Sequence, residues 1–173
     1  MRLTVGMDVR AATASDVDDV VALVESAYRG DSSRAGWTTE ADFLDGQRTD
    51  ADEVSALVPH LLVARDAGGS LVGCCSLVPK KSFAYFGLFA VRPGLQAGGI
   101  GSSLLAAAEA RASGLGLGHV EMSVLSVRPE LIAFYERRGY RRTGQTLPFP
   151  RSDPRFGLPR RDDLEFLVLA KKL

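Results

Sequence analysis

The chain has 173 residues and a mass of 18.5 kDa, the size of one domain at roughly 150 residues per domain. A hydrophobic fraction of 46% and a charged fraction of 24% supply enough apolar side chain for a core, which excludes an intrinsically disordered chain. The 21 Lys and Arg balance the 21 Asp and Glu, so the basic excess of a dedicated nucleic-acid binder is missing. The most apolar runs, residues 164–170 and 104–108, are far shorter than the ~20 residues of a membrane span. Residues 1–12 lack the long apolar stretch of a secretory signal, and adjacent Cys74 and Cys75 suit neither a disulfide framework nor a zinc site. These features predict a single cytoplasmic domain over residues 1–173, flexible over residues 1–8, with no nucleic-acid, membrane or metal partner.

In the first part of the chain, Val17, Val20, Val21, Val24 and Tyr28 recur at helical spacing. Ser15 stands as N-cap, and Asp16, Asp18 and Asp19 lie in the first turn, where the helix dipole favours acids. Residues 29–36 are turn-rich, and a second helix is expected after Thr38 or Thr39, carrying Phe43 and Leu44 inward. Asp50 and Glu53 have capping-box spacing and open a short helix that ends before Pro59. The period then changes. Residues 61–65, 71–78 and 82–91 are rich in Val, Leu, Phe and Tyr and are separated by turn residues, which predicts a three-stranded antiparallel meander. A helix over 100–113 stops at the glycines of 114–118, a strand follows over 119–127, and a helix runs from Pro129 to Arg138, ended by Gly139. Residues 140–143 and 164–170 read as two closing strands. Between them, residues 144–163 hold four of the eight prolines and are expected to form a stiff, extended surface loop. The sum is an α/β (α+β) domain: a mixed, mostly antiparallel central sheet flanked by helices.

The chemistry concentrates in residues 88–105, where a buried strand ends at Val91, Pro93 and Gly94 turn the chain, and glycines lead into a helix. The first turn of a helix leaves N–H groups without intrahelical partners at the positive end of the dipole. Glycines at 98, 99 and 101 remove side chains that would hold a phosphate away from those donors, while Gln96 and Ser102 add polar groups. The Walker pattern is excluded because no lysine lies between Lys81 and Lys171. The dinucleotide fingerprint fails because Leu104 stands where its third glycine belongs.

The stretch Gln96-Ala-Gly-Gly99-Ile-Gly101 resembles the central motif of the GNAT superfamily of acyl-CoA-dependent N-acyltransferases, Q/R-x-x-G-x-G/A after a strand. Phe134-Tyr135-Glu-Arg-Arg-Gly139-Tyr140 is similar to a second segment of that family, and the order of elements follows the same fold. The resemblance implies acetyl-CoA as cosubstrate, with Gln96, Ala97, Gly98, Gly99, Ile100, Gly101 and Ser102 around its pyrophosphate. It implies that the backbone of Phe89, Ala90 and Val91 meets the pantetheine arm in the manner of strand addition, at an edge opened by splaying between the strands over 82–91 and 119–127. Tyr135 takes the family's general-acid position. Arg128 stands where many members carry an asparagine that contacts the cofactor. Tyr28, Arg29, Ser33 and Trp37 fall where the family builds its acceptor pocket.

The implied reaction is attack of a primary amine, of a small molecule or a peptide, on the thioester. Glu121, Glu25 and Asp31 are the carboxylates available as general base, Glu121 being nearest by topology, and a water chain to backbone is an equal choice. A catalytically silent CoA-binding module of the same fold is the alternative. The acids of residues 1–60 can attract a cationic amine, or can be ordinary solvated helix faces. The proline-rich loop is expected either over the acceptor or over a homodimer interface. Cys74 and Cys75 read as small buried side chains, and His60 and His119 as structural residues.

Overall fold

The computed structural model describes residues 6–29, 33, 34 and 39–173, the side chain of Ala97 excepted. Its strands are β1 (Asp8–Ala11), β2 (Leu44–Asp45), β3 (Leu61–Arg65), β4 (Leu71–Pro79), β5 (Ala84–Val91), β6 (His119–Leu125), β7 (Arg141–Pro148), β8 (Leu158–Pro159) and β9 (Glu165–Lys172). Its helices are α1 (Val17–Tyr28), α2 (Ala51–Leu57), α3 (Ile100–Gly114) and α4 (Pro129–Glu136). Seven strands form one sheet in the order β1-β3-β4-β5-β6-β9-β7, and β2 pairs with β8 apart from it. Every neighbouring pair is antiparallel except β5 with β6, which are parallel. That pair is joined only at Ala84 with Val120 and at Tyr85 with Glu121, and beyond those residues the two strands diverge.

Two apolar layers hold the sheet. On one face, Cys75, Leu77, Phe86, Phe89, Val120 and Met122 pack under Leu104, Leu105 and Ala108 of α3 and Phe134 and Tyr135 of α4. On the other, Val63, Cys74, Leu88 and Ala90 meet Val20, Val24 and Tyr28 of α1 and Val54 of α2. Strand β4 feeds both layers, which is why its sequence reads as a continuous apolar run without alternation. Gly73 in that strand lets α3 close down on the sheet, since a Cβ there would stand 2.7 Å from Leu104 Cδ1. No helix among the described residues is long and apolar enough to cross a membrane.

Four local expectations change. The cap of the first helical segment is Thr13, not Ser15. Arg10 and Arg65 draw the Asp16 carboxylate inward (1% exposed), and there it accepts the Thr13 N–H at 2.8 Å. No helix carries Phe43 and Leu44: residues 41–43 turn, and Leu44 enters β2 because it packs with Leu125, Phe149 and Leu164. Thr38, one of the two residues after which that helix is expected, lies outside the described residues, and Thr39 and Glu40 are not helical. The strand after Gly139 runs on to Pro148, across an irregularity between Arg142 and Thr146 where Gly144 takes φ +85°. That kink breaks the alternation on which strand reading depends, and the following loop contributes β8. Asp8, placed in the flexible end, is the first residue of β1, while residues 1–5 lie outside the described part.

Candidate active site

Strand β5 is irregular where it parts from β6. The β4–β5 register shifts between Cys74 and Ser76, and Leu88 adopts φ +43°. For a branched residue this conformation costs about 1–2 kcal/mol, so it persists only because its surroundings fix it. Leu88 is buried against α1, the Cys74 thiol reaches its carbonyl at 3.4 Å, and the Tyr28 hydroxyl donates to the next carbonyl, that of Phe89. Arg92 donates its N–H to Val72 in β4. In an antiparallel ladder this directs the backbone groups of Ala90 to β4 and those of Phe89 and Val91 to the opposite, open edge. Ala90 therefore does not share that edge, since its side chain packs toward α1 and Cys74 is its register partner. The Val91 carbonyl accepts from Gln96 Nε2 at 3.2 Å.

Beyond β5 a single helical turn over Gln96–Gly98 leads to Gly99, which caps α3 with φ +83°. A Cβ added at Gly98 or at Gly99 would meet nothing within 4 Å, so both leave open approach to the first-turn amides of α3. Gly101 differs. A Cβ there would lie 2.9 Å from Phe89 Cζ, so its missing side chain serves close packing of the helix on an aromatic ring, not anion access. Ile100 turns into the core. Phe89, Val91, Gln96, Gly99, Gly101, Ser102 and Phe134 line one cleft of about 60 Å³.

The sequence reading missed Arg138. Its guanidinium lies 3.6 Å from the centroid of the Phe134 ring and donates to Ser102 Oγ at 2.5 and 3.1 Å, in the first turn of α3. Burial, and then the like charge of Arg137, lower its pKa from the ordinary guanidinium value. A cation in that state gains by acquiring an anion. The signal was present as a basic residue just before Gly139, but its partner is 36 residues away.

Tyr135 packs on the α3–α4 side against Phe86, Phe89, Phe134 and Tyr140, with ring centroids 5.3–6.2 Å away. Among the described residues none hydrogen-bonds its hydroxyl. Burial pushes its pKa well above the ordinary phenol value, with Tyr28 adding to the shift and Arg128 opposing it. The group is a neutral O–H donor at physiological pH.

Glu121 belongs to the other face. Its neighbours Val120 and Met122 pack under α3 and α4, and alternation along β6 turns Glu121 and Ser123 to the side of α1. Opposite Tyr85 in register, it stands where β5 and β6 begin to diverge. Tyr28 supports the Phe89 carbonyl, and its own pKa is pushed up to about 12 by burial and then by Glu40. Arg29 is buried and bonds Glu40 Oε2 at 2.5 Å through Nη1. Arg128, at the N-cap of α4, approaches Glu40 Oε1 at 3.5 Å; it is not part of the cleft at the glycine loop. Ser33 is buried and shares a 2.6 Å hydrogen bond with Thr39. Trp37 and Asp31 lie outside the described residues. Glu25 accepts the N–H groups of Arg48 and Thr49 at 2.5 and 2.8 Å, which commits it to holding that loop. The acids of the first sixty residues are likewise committed at Asp16, Asp19 and Glu40, each of which pairs with arginine.

Residues 18–140 match the Acetyltransferase (GNAT) family. The chain belongs to the GNAT acetyltransferase family. Over 136 residues it is 34% identical to a mycothiol acetyltransferase from Clavibacter michiganensis subsp. michiganensis, covering 79% of this chain and 43% of that protein. The chain thus spans less than half the length of that relative. Ard1 from Thermoplasma volcanium has a TM-score of 0.73 at 19% identity, over 98% of this chain and 99% of that one. N-acetylglutamate synthase from Neisseria gonorrhoeae, solved with coenzyme A and N-acetyl-glutamate, has a TM-score of 0.65 at 19% identity, over 96% of this chain and 35% of that one. Likeness at these identities establishes a GNAT fold, with its mostly antiparallel sheet and one diverging parallel pair.

Proposed function

We propose that the protein transfers the acetyl group of acetyl-CoA to a primary amine of a small molecule or peptide by direct attack. One juxtaposition carries the reading: the first-turn amides of α3, approached over Gly99, share a cleft with the free edge of β5, and Tyr135 packs against Phe89 on that edge. The donor set fits the cosubstrate. Bare N–H groups at a helix start with Arg138 beside them suit a diphosphate, and a strand edge of main-chain groups suits the amides of a pantetheine arm. In this reading the cosubstrate approaches from the side of α3 and α4, and the amine approaches from the side of α1 through the gap between β5 and β6.

A free alkylamine has a pKa near ~10.4, so about one molecule in a few thousand is neutral at pH 7. Glu121, on the amine's side of the gap, is the residue to take the ammonium proton, directly or through water. The amine nitrogen then bonds to the acetyl carbon and the C–S bond breaks. The second proton lost by that nitrogen as it becomes an amide passes through solvent to the thiolate. Coenzyme A thus leaves as a thiol, while Glu121 returns the first proton to solvent. With its pKa raised by burial, Tyr135 is too weak an acid for complete transfer to a thiolate. It acts as a hydrogen-bond donor to the sulfur, a contact that strengthens as charge develops. The test is release of free thiol from acetyl-CoA across an amine panel, beside calorimetry with coenzyme A. Heat and thiol release support the proposal. Heat without turnover of any amine reduces it to a CoA-binding module, and absence of heat overturns it.

A further inference from the structure

Arg29 is a charged side chain that the reaction described above does not use. It caps α1, is 6% exposed, and bonds Glu40 through Nη1 alone. Its Nε and Nη2 are buried and have no hydrogen-bond partner among the described residues. These two nitrogens are not an arbitrary pair. Together they form the side-on edge of the guanidinium, whose two parallel N–H groups match the two oxygens of a carboxylate. Folded proteins rarely bury donors without acceptors, and the exceptions concentrate where a ligand or an unseen solvent molecule completes the set. Here the vacant valences make up one entire fork.

The surroundings tie this fork to the amine's side of the site. Glu40 holds Arg29 with one oxygen and approaches Arg128 with the other, and its own N–H donates to the Tyr28 carbonyl at 2.9 Å. Tyr28 in turn holds the carbonyl of Phe89 at the irregularity of β5, and Arg128 starts the helix that carries Tyr135. The fork is covered by the loop before β8. A Cβ at Gly157 would stand 2.9 Å from Arg29 Nη2 and 3.2 Å from the Asp45 carbonyl, so the backbone of this loop lies directly on the guanidinium. The ladder between β2 and β8 that holds the loop there comprises only two residue pairs, Leu44 with Pro159 and Asp45 with Leu158.

We propose that the side-on edge of Arg29 receives a carboxylate of the acceptor, so that the substrate is an amino acid or another small amine that also carries a carboxylate. The loop around Gly157 shifts to admit it, and Glu40 keeps the guanidinium in register meanwhile. This class rests on the acetyl-transfer reading, and it separates substrates by charge. A zwitterion offers an anion to the arginine and an amine to the thioester, whereas a purely cationic polyamine meets a buried positive charge.

The experiment titrates the full chain, loaded with coenzyme A, by calorimetry with L-amino acids, β-alanine and 4-aminobutyrate. Each acid is compared with its own carboxamide, and acetyl-CoA thiol release is followed with the same compounds. At least one acid is expected to bind 30-fold or more tightly than its amide, and to be acetylated with a correspondingly higher kcat/KM, the difference lying in KM. Arg29→Lys keeps a cation opposite Glu40 but has no fork. It is expected to reduce the acid-to-amide preference to below threefold while coenzyme A affinity stays unchanged. Equal affinity for every acid and its amide in the wild-type protein overturns the proposal, and so does a preference that survives in Arg29→Lys. Acid-selective binding without any thiol release supports the carboxylate site and counts against the proposed reaction instead.

Discussion

The two roles assigned to the glycines of the loop are separable by adding one methyl group at a time. Gly98 has ordinary φ, and a Cβ on it meets nothing within 4 Å. Gly98→Ala should leave the free protein as stable as before, or raise its stability by up to about 1 kcal/mol through a less flexible unfolded chain. In the proposed placement of the diphosphate, the same methyl intrudes on the approach of a phosphate to the α3 amides. Displacing that anion enough to lose one charge-assisted hydrogen bond costs at least about 1.4 kcal/mol, a tenfold rise in Kd for coenzyme A. Gly101→Ala reverses the pattern. Its methyl meets Phe89 Cζ at 2.9 Å, and the Phe89 ring cannot retreat because Phe86, Phe134 and Tyr135 surround it with centroids 5.3–6.2 Å away. Overpacking of about 1–3 kcal/mol is then offset in part by the better helix propensity of alanine, close to 1 kcal/mol. A net loss of up to about 2 kcal/mol lowers Tm by up to about 8 °C in a domain of this size. Differential scanning fluorimetry of the free proteins and calorimetry with coenzyme A measure both quantities. Unchanged coenzyme A affinity in Gly98→Ala, in a protein whose wild type binds, would refute the placement of the diphosphate.

The remaining expectations follow from single groups. Tyr135→Phe should lower kcat by roughly 10²–10³ with little change in coenzyme A affinity, and a kcat within about twofold of wild type in the thiol-release assay would make Tyr135 a packing residue only. Asp16 is held well below the usual carboxylate range by its bond to Arg10, with Arg65 and the Thr13 N–H adding and burial opposing. Because the folded pKa is depressed, its contribution is complete above the unfolded value near ~3.9 and is lost as pH falls through and below that value. Asp16→Asn should therefore lower Tm at pH 7 by about 4–8 °C, from loss of about 2 kcal/mol, and the gap should shrink in melts below about pH 4; a gap independent of pH contradicts this account. Cys74 and Cys75 are fully buried, and burial pushes the Cys74 thiol up to about 12 and that of Cys75 well above its ordinary value. Ellman titration should find no fast thiol in the native protein and both cysteines after denaturation; a fast native thiol would show that the β4 layer opens.

What could be read from the sequence was local. The spacing of Val20, Val24 and Tyr28, the glycines ahead of α3 and the segment around Tyr135 each state their structure within one or two turns of chain. Where the reading failed, the deciding contact came from far along the chain. Thr13 displaces Ser15 as the cap because Arg65, on β3, helps draw Asp16 inward. Residues 41–45 are not helical because β8, more than a hundred positions later, pairs with Leu44 and Asp45. Arg138 reached the glycine loop unannounced for the same reason, and so did Glu40 between Arg29 and Arg128. The three glycines look alike in sequence, and only the Phe89 ring beneath Gly101 distinguishes its role from those of Gly98 and Gly99.

Phe89 also joins the two halves of the site. Its ring lies under the first turn of α3, and its carbonyl is held by Tyr28 from α1, so helices on opposite faces of the sheet fix one residue of β5. The Val91 carbonyl, on the same edge, is engaged by Gln96. With both outward carbonyls occupied from within, an extended ligand laid along this edge meets N–H donors more readily than acceptors. That bias suits a thioester. Its carbonyl oxygen gains negative charge as the amine adds, and a fixed main-chain donor that needs no reorganisation stabilises such an oxyanion by several kcal/mol in a site shielded from water. The positive φ of Leu88 has its role here. The irregularity turns the peptide of Phe89 out of the β4 ladder, and the buried hydroxyl of Tyr28 keeps it turned.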